Sequence, residues 1–240
     1  MSNVTKDFSV FDLPKKCYEI VKRNWKLYAL VNVLALLSAF FALFDNQYSQ
    51  ENINESQDFS NTFSNASTPE IAAIIGAGAV FVLVYALISF VLYIFTLSLT
   101  LRSSETETPT GQVVINDFKK YWLRLLVLHI VLAVIVVVGL ILLILPGLAA
   151  IFFLSFAPYF MIDKNLGVQD SIKQSYEFVK NHSSSVAGLF LLSIGLLFVL
   201  GILSAIPFLG SFASTILAII LSPLYALYYV KKRKSVVAKA

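Results

Sequence analysis

Two side chains in this 240-residue sequence combine reactive chemistry with an apolar setting: His129, within the run from Leu123 to Leu145, and Asn32, within the run from Trp25 to Phe44. Each stands seven residues beyond a tryptophan, Trp122 or Trp25. An imidazole changes charge near neutrality, and a polar group inside a membrane must find a partner or water. The pair is therefore read as an intramembrane polar contact. Its bland form is an interhelical hydrogen bond worth roughly 0.6 to 2 kcal/mol; its sharper form makes His129 a proton or substrate contact. Other polar residues fall short of catalysis. Ser183, Ser184 and Ser185 lack the spaced base and orienting acid that a serine nucleophile requires, and they suit a helix cap. Cys17 is the only cysteine, so no intramolecular disulfide can form, and with just His129 and His182 the sequence does not offer the clustering that a metal site requires. The reading is of a protein that is not an enzyme, with no catalytic, cofactor-binding or metal residues.

The surrounding elements explain that setting. The chain is 58% hydrophobic and 13% charged, which marks a bilayer rather than water as its main solvent. A span of a hydrocarbon core roughly 30 Å thick takes about 20 apolar residues. Six runs are read as spans: 25–44, 71–101, 123–145, 148–162, 186–206 and 212–230. The fourth is short and carries Pro158, so a tilted or re-entrant path is its alternative. Pro146-Gly147 and Pro207 to Ser211 are read as the tight joints of the second and third hairpins. The fold class is all-α, a polytopic bundle of three transmembrane hairpins forming a single membrane domain over residues 1–240.

All 18 lysines and arginines lie before or at the very start of the first run, between the second and third or at the start of the third, between the fourth and fifth, or after the sixth. Six alternating crossings place them on one side with nine acids, while the other side holds only Asp45, Glu51, Glu55, Asp58 and Glu70. Cations are retained on the cytoplasmic side, so both termini are expected there, in a multi-pass protein of the cell membrane. No cleavable leader is expected, because about two dozen polar or amphipathic residues precede the first apolar run. Residues 45–69 read as a flexible external loop, with sequons at Asn54 and Asn65.

Three segments between the spans share a pattern. Leu13, Cys17, Ile20 and Val21 recur at helical spacing opposite Lys15, Lys16, Lys22 and Arg23. Val114, Phe118, Tyr121 and Trp122 oppose Lys119, Lys120 and Arg124, and Val168, Ile172, Tyr176 and Val179 oppose Lys173 and Lys180. Aligning Val21 to Trp25 with Phe118 to Trp122, and more faintly with Val179 to Ser183, gives three repeats of amphipathic helix and hairpin, over about 12–101, 111–162 and 168–230. Basic amphipathic helices with interfacial tryptophans suit the headgroup boundary. The expected partner is thus anionic lipid of the inner leaflet, touched by Lys15, Lys16, Lys22, Arg23, Trp25, Lys119, Lys120, Trp122, Arg124, Lys231, Lys232, Arg233 and Lys234. The alternative is that these helices extend the spans or pack on one another. No basic stripe with interleaved aromatics lies on a soluble surface, so nucleic acid is not expected as a partner.

Leu145-Pro146-Gly147-Leu148, then Phe156-Ala157-Pro158-Tyr159-Phe160-Met161-Ile162-Asp163-Lys164-Asn165-Leu166-Gly167, then Asp170 to Glu177, resemble the YciC-like membrane proteins. These are similar to the membrane domain fused to some glycerophosphodiester phosphodiesterases. The resemblance implies a six-helix module of uncharacterised function and supplies no catalytic residues; the phosphodiesterase barrel itself has no counterpart in this chain. The function expected from the whole is a membrane-organising, lipid-interacting or accessory one. The alternative is a transporter or channel for a neutral or hydrophobic solute, lined by Asn32 and His129.

Overall fold

The computed structural model describes residues 10–33, 35–37, 67–105, 108–206 and 210–237, and every regular element among them is helical. A 3-10 turn, Val10–Asp12, leads into α1 (Leu13–Arg23) and α2 (Trp25–Val31). There follow α3 (Thr68–Glu105), α4 (Gly111–Leu142), α5 (Ile144–Leu154), α6 (Ala157–Lys164), α7 (Val168–Asn181), α8 (Ser183–Ser204), α9 (Gly210–Leu221) and α10 (Leu224–Val237). Five stretches among the described residues are long and apolar enough to cross a membrane: Val82–Glu105, Gly111–Leu142, Ile144–Lys164, Ser183–Ser204 and Phe212–Arg233. The run expected as the first span starts with α2, and its residues 34 and 38–44 lie outside the described residues. So do 45–66 of the expected external loop, both sequons, Lys6, Lys239, Pro207 to Leu209 of the third hairpin joint, and the side chain of Lys234.

Burial divides the bundle lengthwise. Leu13, Cys17, Leu99, Leu101, Leu125, Leu128, Phe156, Met161 and Tyr228 are buried, clustering where the helices meet near the basic segments. Away from that end the apolar side chains face outward: Ile141 is 79% exposed, Leu145 77% and Phe198 73%. Such a surface is incompatible with water and natural in hydrocarbon.

The joint between α4 and α5 is a single extended residue, Leu143 (φ −164°, ψ 148°), not the expected Pro146-Gly147. Pro146 and Gly147 instead lie in the first turn of α5, where a missing N–H leaves no hydrogen bond unmade. Gly147 serves the hairpin differently: a Cβ on Gly139 would fall 2.9 Å from the Cα of Gly147, so the two backbones touch. At Gly76, Gly195 and Gly201, by contrast, nothing lies within 4 Å of a Cβ position.

Pro158 splits the fourth span into α5 and α6. Lacking an N–H, it cannot continue the ladder to Leu154. Ser175 of α7 repairs the break, accepting a hydrogen bond from the Phe156 N–H at 3.2 Å and donating to the Phe153 carbonyl at 2.8 Å. Phe156 then centres an aromatic core, its ring 5.1 Å from Phe178 and 5.8 Å from Tyr228. α6 ends on Asn165 in the left-handed region (φ 54°, ψ 40°), a conformation asparagine tolerates better than branched residues. Two other breaks match one another. Asn24 (φ −111°, ψ 25°) separates α1 from α2, and His182 (φ −125°, ψ 26°) separates α7 from α8. Each also turns its side-chain nitrogen back to the carbonyl four residues earlier, Asn24 to Ile20 at 3.1 Å and His182 to Phe178 at 2.9 Å.

The apolar stripes of the connecting segments dock largely on protein, with Trp122 and Tyr176 the exposed members. Leu13, Cys17, Ile20 and Val21 of α1 are all buried, with α1 packed against α9 and α10, and Val179 of α7 is buried likewise. The second segment runs unbroken into its span as the first turns of α4. Of the two placements open from sequence, extension and packing are what the structure contains. A helix sunk into the headgroups by its apolar face is not present in α1.

Candidate functional site

Where the helices converge, five charged side chains form a continuous chain of ion pairs. Arg102, in the last turn of α3, reaches Asp117 of α4 with Nε at 2.9 Å from Oδ2 and Nη2 at 3.0 Å from Oδ1. Its Nη1 stands 3.2 Å from Glu105. Glu105 accepts from Arg233 of α10 at 2.7 Å, and Arg233 also pairs with Asp163 at the end of α6. Ser98 donates to Asp117 at 2.6 Å and Tyr229 to Asp163 at 2.6 Å. The bidentate grip on Asp117 suits the planar guanidinium fork, which a lysine could not reproduce. Asp117 and Asp163 are largely buried, at 10% and 9% side-chain exposure, and the guanidinium groups against them offset the cost of desolvation.

The sequence alone gives no direct sign of this layer: it offers Asp117 no partner and sets Arg233 against lipid. Arg233 is instead committed to two acids. The available signal was that Glu105, Asp117 and Asp163 each border an apolar run within a few residues of a cation. Two neighbouring contacts tie α1 and α2 to the same layer: Tyr28 shares a hydrogen bond of 2.8 Å with Ser103, and Arg23 reaches the Ser103 carbonyl at 3.5 Å.

Outside the layer lies a basic rim. Lys15, Lys22, Arg23, Trp25, Lys26, Lys119, Lys120, Trp122 and Arg124 are exposed, while Lys16, Lys231 and Lys232 are half-buried. Trp25 is 60% exposed with the Lys26 ammonium 6.0 Å from its ring centre. Trp122 is 45% exposed, and Lys120 stands 5.0 Å from the ring of Tyr121. Arg124 donates to Asn165 at 3.2 Å. Beneath the rim, burial pushes the Cys17 thiol up to about 12, opposed weakly by Lys231. A thiol so poised carries almost no thiolate near neutrality and is inert.

Deeper in the bundle, a cleft of about 210 Å³ lies between α3, α4 and the α5–α6 break, with Tyr93, His129, Ser155 and Pro158 in its wall. Nδ1 of His129 stands 2.7 Å from the Leu125 carbonyl oxygen, and the ring meets Tyr93 edge-on at 5.0 Å and Phe90 at 5.8 Å. Asn32 does not share this bond: its amide donates to Tyr28 of its own helix at 2.9 Å. Both residues expected to touch one another thus make the same local i to i−4 contact, in separate helices. Among the described residues no group of histidine, cysteine and carboxylates could hold a metal ion.

Five membrane-length helices, a lipid-compatible flank and a charged layer at one end define a multi-pass helical membrane protein. Its sequence matches the uncharacterised protein family UPF0259 over residues 26–230, and the chain belongs to that family. No curated protein and no solved structure matches it.

Proposed function

We propose that this is a non-catalytic membrane protein whose basic rim holds anionic lipid of the inner leaflet, organising lipid or supporting other membrane proteins there. The observation that carries the reading is the outward placement of Trp25 and Trp122, each beside exposed cations, while the apolar faces that would otherwise compete for lipid are docked on protein. Tryptophan favours the headgroup level, and each nearby cation adds about 1 kcal/mol of attraction to an anionic surface. In this reading the run from Trp25 to Phe44 completes six spans in three hairpins, and both termini face the cytoplasm. The matched breaks at Asn24 and His182 favour a repeated unit, and the resemblance to YciC-like proteins agrees with six helices.

The two tryptophans are the only ones in the chain, so their fluorescence reports the rim directly. In vesicles, brominated phosphatidylglycerol is expected to quench them more than brominated phosphatidylcholine at equal mole fraction. Lys22→Glu, Lys119→Glu and Lys120→Glu together should abolish the excess while leaving helical content unchanged. Equal quenching by both lipids in the native protein would remove the proposal.

A further inference from the structure

The cleft at His129 has an unbalanced chemistry. A carbonyl oxygen only accepts, so the 2.7 Å contact with Leu125 fixes the proton of the neutral ring on Nδ1. The far edge of the ring, Nε2, is then a bare acceptor. Among the described residues neither Nε2 nor the Tyr93 hydroxyl has a hydrogen-bond partner. Pro158 adds to the imbalance, because it withholds the N–H that the carbonyl of Leu154, another wall residue, would receive in an unbroken helix. Ser155 uses its hydroxyl hydrogen on Phe152 at 3.1 Å. Acceptors thus outnumber available donors in the wall.

Depth sharpens the point. His129 lies seven residues past Trp122, Tyr93 nine before Arg102 and Ser155 eight before Asp163, which at about 1.5 Å per residue puts all three roughly 10–14 Å from the polar end. In a core about 30 Å thick that is well inside hydrocarbon, where an unfilled acceptor is costly. Three helices bring polar groups to one depth around one opening. The remaining wall, Leu132, Val136 and Ile151 among it, is apolar. A cavity near 150 Å³ accommodates a benzene ring, so about 210 Å³ admits one ring or a short chain with its polar head.

We propose that this cleft binds a neutral, lipid-soluble hydroxyl compound, whose O–H donates to Nε2 of His129 while its apolar body lies against Tyr93, Leu132 and Pro158. The site demands a donor on an uncharged body, which phosphatidylcholine lacks and an alcohol or phenol supplies. It is independent of the basic rim, since none of the rim residues lines it.

With only two histidines in the chain, 15N-histidine labelling of the intact protein leaves two rings to tell apart, and His182→Gln assigns the signal of His129. In phosphatidylcholine nanodiscs, one unprotonated Nε2 resonance is expected to move upfield, saturably, on titration with 4-heptylphenol and with 1-decanol, and to stay in place with heptylbenzene. Ala150→Phe, on the cleft wall, is expected to fill the opening and suppress the movement with both hydroxyl probes. An identical shift with heptylbenzene, no shift with either hydroxyl probe, or an Nε2 already hydrogen-bonded before titration would each overturn the proposal. None of these outcomes depends on whether the rim prefers anionic lipid.

Discussion

Asp163 accepts from both Tyr229 and Arg233, and Glu105 links Arg233 onward to Arg102. Removing one member leaves a partly buried charge with one partner fewer, and breaking a buried pair outright costs about 3–5 kcal/mol. Both guanidinium groups remain about a quarter exposed, which lowers the expected loss. Asp163→Ala is therefore predicted to destabilise the bundle by about 2–3 kcal/mol in SDS-driven unfolding. Asp163→Ala with Arg233→Met should recover part of that loss, because both desolvated charges are gone. A double variant as unstable as the sum of its parts would show that the pair is not coupled. These partners were not legible in sequence for a simple reason. Asp163 and Arg233 are 70 positions apart and Glu105 and Arg233 are 128 apart, so no periodicity joins them. His129 was legible, since a lone imidazole in an apolar run stands out by type; its cleft was not, because the wall comes from α3, α4, α5 and α6.

At the scale of elements, the second half of the fourth span illustrates what local signals carry. Pro158 announces a break in the ladder, and the structure has one at Ser155 and Phe156. Nothing in the sequence announces that Ser175, 19 residues beyond Phe156, satisfies the freed backbone. Ser175→Ala leaves the buried N–H of Phe156 and the carbonyl of Phe153 without this partner, a penalty of about 1–3 kcal/mol. It should lower the unfolding midpoint and speed amide hydrogen exchange at Phe156, whereas Ser184→Ala, on an exposed position, should do neither. Unchanged exchange at Phe156 would show that the bond is dispensable. The hairpin joint shows the opposite failing of local signals. Proline next to glycine favours a turn in isolation, yet here the pair starts α5 and lets α4 approach at Gly139. Tertiary contact between backbones overrode the turn preference.

The whole molecule is organised by where charge is tolerated. Basic residues from separate segments meet the same layer: Arg23 reaches Ser103, Arg124 reaches Asn165, and Arg233 reaches Glu105 and Asp163. This is the arrangement that alternating crossings require, and the apolar runs were readable because each must supply about 20 consecutive residues. The central claim is that every cation-rich segment faces one compartment and residues 45–69 the other. Cysteine labelling tests it with little background, since the raised pKa of Cys17 keeps its thiol protonated through pH 8 and burial shields it until the protein unfolds. In intact cells a membrane-impermeant maleimide is predicted to label Ser60→Cys, and to reach Lys120→Cys and Lys239→Cys only after permeabilisation. Labelling of Lys239→Cys from the same side as Ser60→Cys would contradict the account.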